Sequence, residues 1–152
     1  MRIANFAVVT ALSLAPIALA QEKKIERKDL PPAVEKTVAA WSQGATIRGF
    51  SQEKENGQLN YEAELTVDGH SKDILIDANG AVVEIEEQVA IDSLPAPVKD
   101  GLQARAGDGK ILKVESLTKK NKLVAYEAVV QSAGKKKEIQ VGPDGQPLAH
   151  EE

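Results

Sequence analysis

Hydrophobic and polar residues alternate most regularly between residues 59 and 67. The apolar positions of this alternation are Leu59, Tyr61, Ala63, Leu65 and Val67. A period of two residues is typical of a strand with one buried and one solvated side. Asn56-Gly57 precedes this strand and Asp68-Gly69 follows it, and such pairs favour two-residue hairpins. The pattern predicts four consecutive antiparallel strands between residues 46 and 86.

A helical pattern precedes these strands. Val34, Val38 and Trp41 are spaced i, i+4 and i+7, which places them on one face of a helix. Gly44 is typical of a helix end. The register favours burial of Trp41 between helix and sheet, and the alternative is a Trp41 that anchors an interface.

The same succession of patterns occurs a second time. Residues 30–34 (LPPAV) recur as residues 94–98 (LPAPV), and Tyr61-Glu62-Ala63 recurs as Tyr126-Glu127-Ala128. The second copy is predicted to contain a helix and four strands, over residues 95–106, 110–117, 122–131, 135–141 and 146–149.

These patterns predict an α+β fold, a tandem repeat of one helix plus a four-stranded antiparallel meander, packed as one compact unit. The expected segments are a signal peptide over 1–20, a polar lead-in over 21–29, a first repeat over 30–87, a link over 88–93 and a second repeat over 94–152. Each repeat alone would be marginal, because so short a chain buries only about 60% of its unfolded surface. The repeats are therefore expected to share a sheet or to pack their helices together.

The first twenty residues have the pattern of an export signal. Arg2 precedes an uncharged run that ends in Ala18-Leu19-Ala20, and a positive start, an apolar middle and small residues before the cleavage point are typical of cleaved signals. We expect cleavage after Ala20 and a periplasmic or secreted protein with no integral membrane segment; a retained membrane anchor is the alternative. The chain contains no cysteine, which excludes a lipid anchor at the cleavage point, disulfides and thiolate metal sites.

Charge limits the class of partner. The 152-residue chain has a formal net charge of −4 at pH 7, whereas nucleic-acid binding needs a strongly basic face. Lysines gather in turns of the second half, at Lys119, Lys120, Lys122 and Lys135-Lys136-Lys137. Solvated loop tips are their ordinary interpretation, and a weak anionic contact is the alternative. We expect no nucleic-acid partner and a monomer or weak oligomer.

Two sets of acidic residues suggest a catalytic or a metal-binding site. Glu62 and Glu64 with Glu127 invite comparison with glycosidases, which need paired carboxylates with one raised pKa. Glu62 and Glu64 lie on the polar face of a strand, however, and are expected to stay solvated and ionised. Asp77-Ala78-Asn79-Gly80 resembles the start of a calcium loop. The later oxygen ligands of such a loop are absent, so a hairpin turn is predicted here.

His70 lies beside Asp68, Ser71 and Asp73. Neighbours within one hairpin tip do not line up as a catalytic triad. Because the chain has two histidines and no cysteine, zinc is not expected either. The sequence predicts no catalytic residue, no metal site, no cofactor and no enzymatic activity.

Leu30-Pro31-Pro32-Ala33-Val34 opens a succession of helix, hairpin, long alternating strand and hairpin. This succession resembles the PepSY-like family, which is related to β-lactamase inhibitors. The other matching segments, each with a second-copy partner, are Asn56-Gly57, Tyr61-Glu62-Ala63-Glu64-Leu65 and Asp77-Ala78-Asn79-Gly80-Ala81-Val82. The resemblance covers nearly all of residues 30–149 as two modules. It implies an exported, non-enzymatic bacterial protein whose sheet face and hairpins bind other proteins, with inhibition of peptidases or related hydrolases. The chain departs from the true lactamase inhibitors in lacking their disulfides and their aromatic-rich sheet face.

The predicted function is therefore an exported, non-enzymatic module that binds a protein partner of unknown identity, as an inhibitor or regulator of a peptidase or other envelope hydrolase. The candidate contacts are two hairpin tips, Asp68-Gly69-His70 and Asn56-Gly57. One alternative is a small-ligand or lipid carrier of the bacterial envelope, which needs an interior space of a few hundred cubic ångströms. Another is a hydrolase, which needs a buried acid or histidine with a shifted pKa.

Overall fold

The computed structural model describes residues 22–55 and 57–152. The predicted signal peptide with its cleavage residue Ala20, and Asn56 of one candidate hairpin tip, lie outside the described residues.

Eight strands and two helices make up the described chain. The strands are β1 (Lys23–Ile25), β2 (Thr46–Glu55), β3 (Gln58–Val67), β4 (His70–Asp77), β5 (Val82–Gln88), β6 (Lys110–Lys119), β7 (Lys122–Ser132) and β8 (Lys135–Val141). The helices are α1 (Pro32–Trp41) and α2 (Ala96–Ala106), and short 3-10 turns at Arg27–Asp29 and Ile91–Ser93 precede them. All eight strands form one sheet in chain order, and each neighbouring pair is antiparallel.

The predicted fold class is wrong. The structure is one eight-stranded meander, not a tandem repeat of one helix plus a four-stranded meander. β5 pairs with β6 from Glu84↔Lys119 to Gln88↔Glu115, so the sheet continues across the link that was expected to separate two repeats. This pairing satisfies backbone groups that would otherwise form exposed sheet edges.

The two halves also contribute unequal numbers of strands. Residues 146–149, predicted as a strand, do not join the sheet. Gly142 and Gln146 instead close a tight turn, in which the Gly142 amide donates to the Gln146 carbonyl at 2.8 Å. The polar lead-in, expected to be only a solvated segment, supplies β1 at the other edge of the sheet.

Both helices cover the same side of the sheet, which we call the helix face. Around α1 the buried residues are Leu30, Val34, Val38, Phe50, Tyr61, Ala63, Leu65, Ile74 and Ile76. Around α2 they are Leu94, Val98, Leu102, Ala106, Val114, Ala128, Val130, Ile139 and Val141. The alternation of β3 therefore directs its apolar side chains towards α1 and its glutamates to the opposite side. Within the described residues, neither helix is long and apolar enough to cross a membrane.

Candidate functional site

The side of the sheet away from the helices carries rows of carboxylates. Residues paired across strands point to the same side, and three rows result. They are Glu64–Asp73–Glu86–Leu117–Ala125, Glu62–Leu75–Glu84–Lys119 and Gln88–Glu115–Glu127–Gln140. We call this surface the acidic face.

A cavity of about 410 Å³ lies on the acidic face. Nine carboxylates, one lysine and one leucine line it: Glu22, Glu53, Glu62, Asp73, Leu75, Glu84, Glu86, Lys119, Glu127, Glu138 and Glu152. Leu117 and Ala125, in the row that contains Glu86, are fully buried. The acidic face therefore combines a strongly negative lining with an apolar floor.

Cationic side chains neutralise four carboxylates of this surface. Arg48, at the bulge of β2, contacts the carboxylates of Glu64 and Asp73 and donates to the Leu65 carbonyl at 3.2 Å. Lys24 also pairs with Glu64. Two lysines form ion pairs in the other rows. Lys113 lies 2.7 Å from Glu115, and Lys119 lies 3.4 Å from Glu84.

Three other carboxylates of the acidic face are not neutralised in this way. In the described part of the chain, Glu62, Glu86 and Glu127 form no ion pair with a cationic side chain. Burial raises the pKa of Glu62 and of Glu127, although Glu62 accepts a 2.6 Å hydrogen bond from Ser51 Oγ and Glu127 a 2.8 Å bond from Gln140 Nε2.

Glu86 is the most perturbed of the three. Burial raises the pKa of Glu86 to about 8, and the next causes are the like charges of Glu84, Glu127, Glu115 and Glu62. Because the four neighbours that contribute most to this pKa are carboxylates, the site favours a proton or an incoming cation at Glu86.

Two carboxylate triads have the spacing of metal ligands. The oxygens of Asp73, Glu86 and Glu115 lie within 4.8 Å of one another, as do those of Glu22, Glu62 and Glu64. Hard divalent cations bind such oxygens. One carboxylate of each triad already has partners in the protein. Glu115 accepts a hydrogen bond from Ser71 and pairs with Lys113. Glu64 pairs with Lys24 and Arg48. Glu62 and Glu86 are thus the members of the triads that have no cationic partner among the described residues.

The sequence interpretation of the glutamates was partly wrong. Glu62 was expected to be solvated, whereas it is partly buried and burial raises its pKa. Asp73, Glu84 and Glu86 were missed as members of the surface. The signal was present in the hairpin turns, because each turn sets the register that places these side chains opposite one another.

The candidate hairpin tips lie at opposite ends of β3. Asp68 and Gly69 form the β3–β4 turn with φ of 50° and 84°, and His70 begins β4; all three are exposed. Gly57, with φ of 82°, belongs to the β2–β3 turn. Ten residues of β3 separate the turns, a distance of roughly 30 Å. The structure does not bring the two tips together.

A partner that uses the β3–β4 tip is expected to bind the Asp68→Ala/His70→Ala variant more weakly than the parent chain. The change removes a charge and an imidazole but keeps Gly69, whose positive φ the turn requires. The measurement is a quantitative pull-down from envelope extract with both chains. Equal recovery of every captured protein would move the contact away from this tip.

The other candidate motifs have simple structural roles. Asp77 Oδ1 accepts hydrogen bonds from the amides of Asn79 and Ala81, both at 2.9 Å, so this carboxylate closes the predicted turn. The predicted burial of Trp41 is wrong, because this residue is 39% exposed. Trp41 is the last residue of α1 and lies beyond the buried turns; Lys72 Nζ lies 5.5 Å from its ring centroid.

Solved structures of similar architecture identify the fold. A BLIP-like protein from Bacteroides fragilis is 22% identical, with 76% of this chain and 81% of that chain covered and a TM-score of 0.54. A predicted periplasmic protein from Bacteroides eggerthii is 18% identical, with coverage of 78% and 85% and a TM-score of 0.62. A DUF2874 family protein from Bacteroides ovatus is 18% identical, with coverage of 78% and 84% and a TM-score of 0.59. The chain has a BLIP-like fold.

No protein-family model and no curated protein matches the chain. At these identities the BLIP-like fold establishes architecture alone. The resemblance to the PepSY-like family stays a prediction, and the function has to be argued from the acidic face.

Proposed function

We propose that the protein is an exported, non-enzymatic binding module whose acidic face receives a cationic segment of a partner protein. The observation that supports this most directly is a group of three carboxylates of the acidic face, Glu62, Glu86 and Glu127, which form no ion pair within the described residues, whereas Glu64, Asp73, Glu84 and Glu115 do. Export is supported by the signal pattern of residues 1–20 and by the predicted periplasmic location of a protein with the same fold.

Repulsion among the crowded carboxylates destabilises the unbound surface, and a bound cationic ligand would relieve this repulsion. Bringing a positive charge to Glu86 would lower its pKa again, so binding would release a proton in neutral solution. A protein segment suits the floor of the cavity better than a simple ion does. Lysine and arginine have apolar stems that can lie on Leu75 while their charged ends reach the glutamates.

The partner would have to present a basic loop or strand, and inhibition or regulation of an envelope hydrolase with such a segment is the specific form that we propose. Occlusion by a surface of this kind needs no chemistry from the binding module. Its affinity would depend strongly on salt, because exposed charges are screened over about 8 Å at physiological ionic strength.

A hydrolase would also need a buried acid with a shifted pKa, and Glu86 meets this requirement. We favour binding because burial and the like charges of neighbouring carboxylates account for this raised pKa, and structural clusters of charged groups also shift pKa values without any catalytic role. In addition, neither histidine is among the residues that line the described cavity. A lipid carrier is disfavoured, since nine carboxylates in the lining oppose an apolar chain even though the volume is typical of ligand sites.

The test is binding of an oligolysine peptide, measured by calorimetry near pH 9, where Glu86 is ionised. The triple variant Glu62→Gln/Glu86→Gln/Glu127→Gln is expected to bind at least about tenfold more weakly, because each lost ion pair is worth about 0.5–1 kcal/mol. These substitutions relieve repulsion, so weaker binding would not reflect unfolding.

A matched control carries the same charge change elsewhere. Asp92→Asn/Asp100→Asn/Asp108→Asn alters three exposed carboxylates around α2 and is expected to bind as the parent chain does. If both triple variants lost affinity equally, only net charge would matter and the acidic face would not be the site. Native mass spectrometry that found a retained apolar ligand would instead support the carrier.

A further inference from the structure

Residues 146–152, which we call the strap, run from the helix face to the acidic face around the edge of β8. Just before their start, Gly145 packs directly on the backbone of Pro97 and Gly101 in α2. At their end, the Glu152 amide donates a 2.8 Å hydrogen bond to Gln140 Oε1. Gln140 belongs to the acidic face, where it also donates to Glu127. The strap therefore connects the two sides of the sheet.

The strap reaches into the cavity. Glu152 is one of the lining residues, and its Oε2 lies 3.6 Å from Lys119 Nζ, which lies 3.4 Å from Glu84 Oε2. Glu152 thus shares with Glu84 the one lysine among the described lining residues. Gln140 is only 7% exposed although β8 is an edge strand, as expected for a side chain that the strap covers.

Few interactions hold the end of the strap in place. Ala149, His150, Glu151 and Glu152 are exposed, and Glu152 brings one more carboxylate to a surface that is already crowded with them. Among residues 22–55 and 57–152, one hydrogen bond and one long, shared ion pair oppose this repulsion. Such contacts are weak when solvent reaches them, so the end of the strap can leave at little cost.

We propose that the strap is an intramolecular competitor of the cationic partner, which must displace residues 149–152 from Gln140 and Lys119 to occupy the cavity. The inference rests on the proposed function and adds a regulatory step to it. Release of the strap exposes Gln140, frees Lys119 to pair with Glu84 alone and opens one end of the acidic face.

The first experiment follows the strap directly. Because the chain has no cysteine, Glu151→Cys provides a single attachment point for a nitroxide label. We expect an immobilised electron-spin-resonance spectrum for the free protein and a mobile one when oligolysine saturates it. The same label on Asp100→Cys in α2 is the control and should not respond to the peptide.

The second experiment compares affinities. A chain that stops after Ala149 lacks both strap contacts and is expected to bind oligolysine several-fold more tightly than the full chain. This gain is diagnostic because the shortened chain has also lost the charges of Glu151 and Glu152, which by electrostatics alone would weaken binding. Gln140→Ala, which keeps those charges, should mobilise the label at residue 151 without peptide.

The outcomes separate the two proposals. The proposal that the strap competes with the partner is contradicted if the label is mobile in the free protein, or if it stays immobilised while calorimetry detects bound peptide. Either result leaves the proposed binding function intact. Binding to the shortened chain but not to the full chain supports both. If neither chain binds the peptide, the proposed function fails and the strap, as its competitor, fails with it.

Discussion

Replacing Gly145 by alanine is expected to lower the free energy of unfolding by about 3 kcal/mol. A Cβ atom at this position would lie 2.0 Å from the Pro97 carbonyl oxygen, and since the obstacle is backbone, no side-chain rotation can relieve it. Overpacking costs about 1–3 kcal/mol. The φ of 80° adds about 1 kcal/mol for any residue with a side chain. Urea denaturation with an unchanged m-value would measure the loss.

Gly134→Ala is the matched control for this prediction. Gly134 has a similar φ of 76°, but nothing lies within 4 Å of the position that its Cβ would take. Only the conformational cost remains, so a loss of about 1 kcal/mol is expected. Equal losses at the two positions would show that the contact between this turn and α2 is not tight.

Gly80 indicates that this contact has a counterpart in the first half. A Cβ at Gly80 would lie 2.6 Å from the Ala33 carbonyl oxygen in α1. The sequence suggested a turn at Asn79-Gly80, and the structure has turns there and at Asp144-Gly145. A second requirement on these glycines, contact with the first turns of a helix, was not visible because it depends on tertiary packing.

Local structure was the most predictable part of the fold. Seven of the strands were expected within one or two residues of their observed positions, because period-two alternation and Asx-Gly turns are local signals. A shared sheet was one of two alternatives that the sequence left open, and the pairing that forms it was not predicted. Alternation shows which side of a strand is buried, but it does not show that β5 and β6, which a helix and a link separate in sequence, are neighbours.

The acidic face was predictable only in part. Glu62 and Glu64 stand out because β3 alternates cleanly, whereas β5 has glutamate at both Glu86 and Glu87 and its pattern does not say which one shares the surface. Only the observed pairing of Glu86 with Asp73 places it there. The strap was missed altogether, because residues 146–149 were interpreted as a strand.

Raising the pH from about 5 to about 9 is expected to destabilise the protein, with Glu86 as the main cause. The folded-state pKa of Glu86, about 8, lies above its ordinary value of 4.5. A raised carboxyl pKa gives stability that is complete below the unfolded-state pKa and is lost as the pH rises through the folded-state pKa. A tenfold difference in proton affinity between the folded and unfolded states corresponds to about 1.4 kcal/mol, so the loss is on the order of 3–5 kcal/mol. The raised pKa values of Glu62, Asp73 and Glu127 act in the same direction.

Glu86→Gln should remove most of this pH dependence. The variant is expected to resemble the parent chain near pH 5, where Glu86 is protonated in the folded state, and to be more stable by on the order of 3–5 kcal/mol near pH 9. Glu87→Gln is the control, because Glu87 is the next residue, points to the helix face and forms a 3.5 Å ion pair with Lys72. A surface pair of this kind contributes about 0–1 kcal/mol. Parallel stability curves for the parent and Glu86→Gln chains between pH 5 and pH 9 would mean that the carboxylates of the acidic face are well hydrated, and the argument that Glu86 is buried without a neutralising partner would fail.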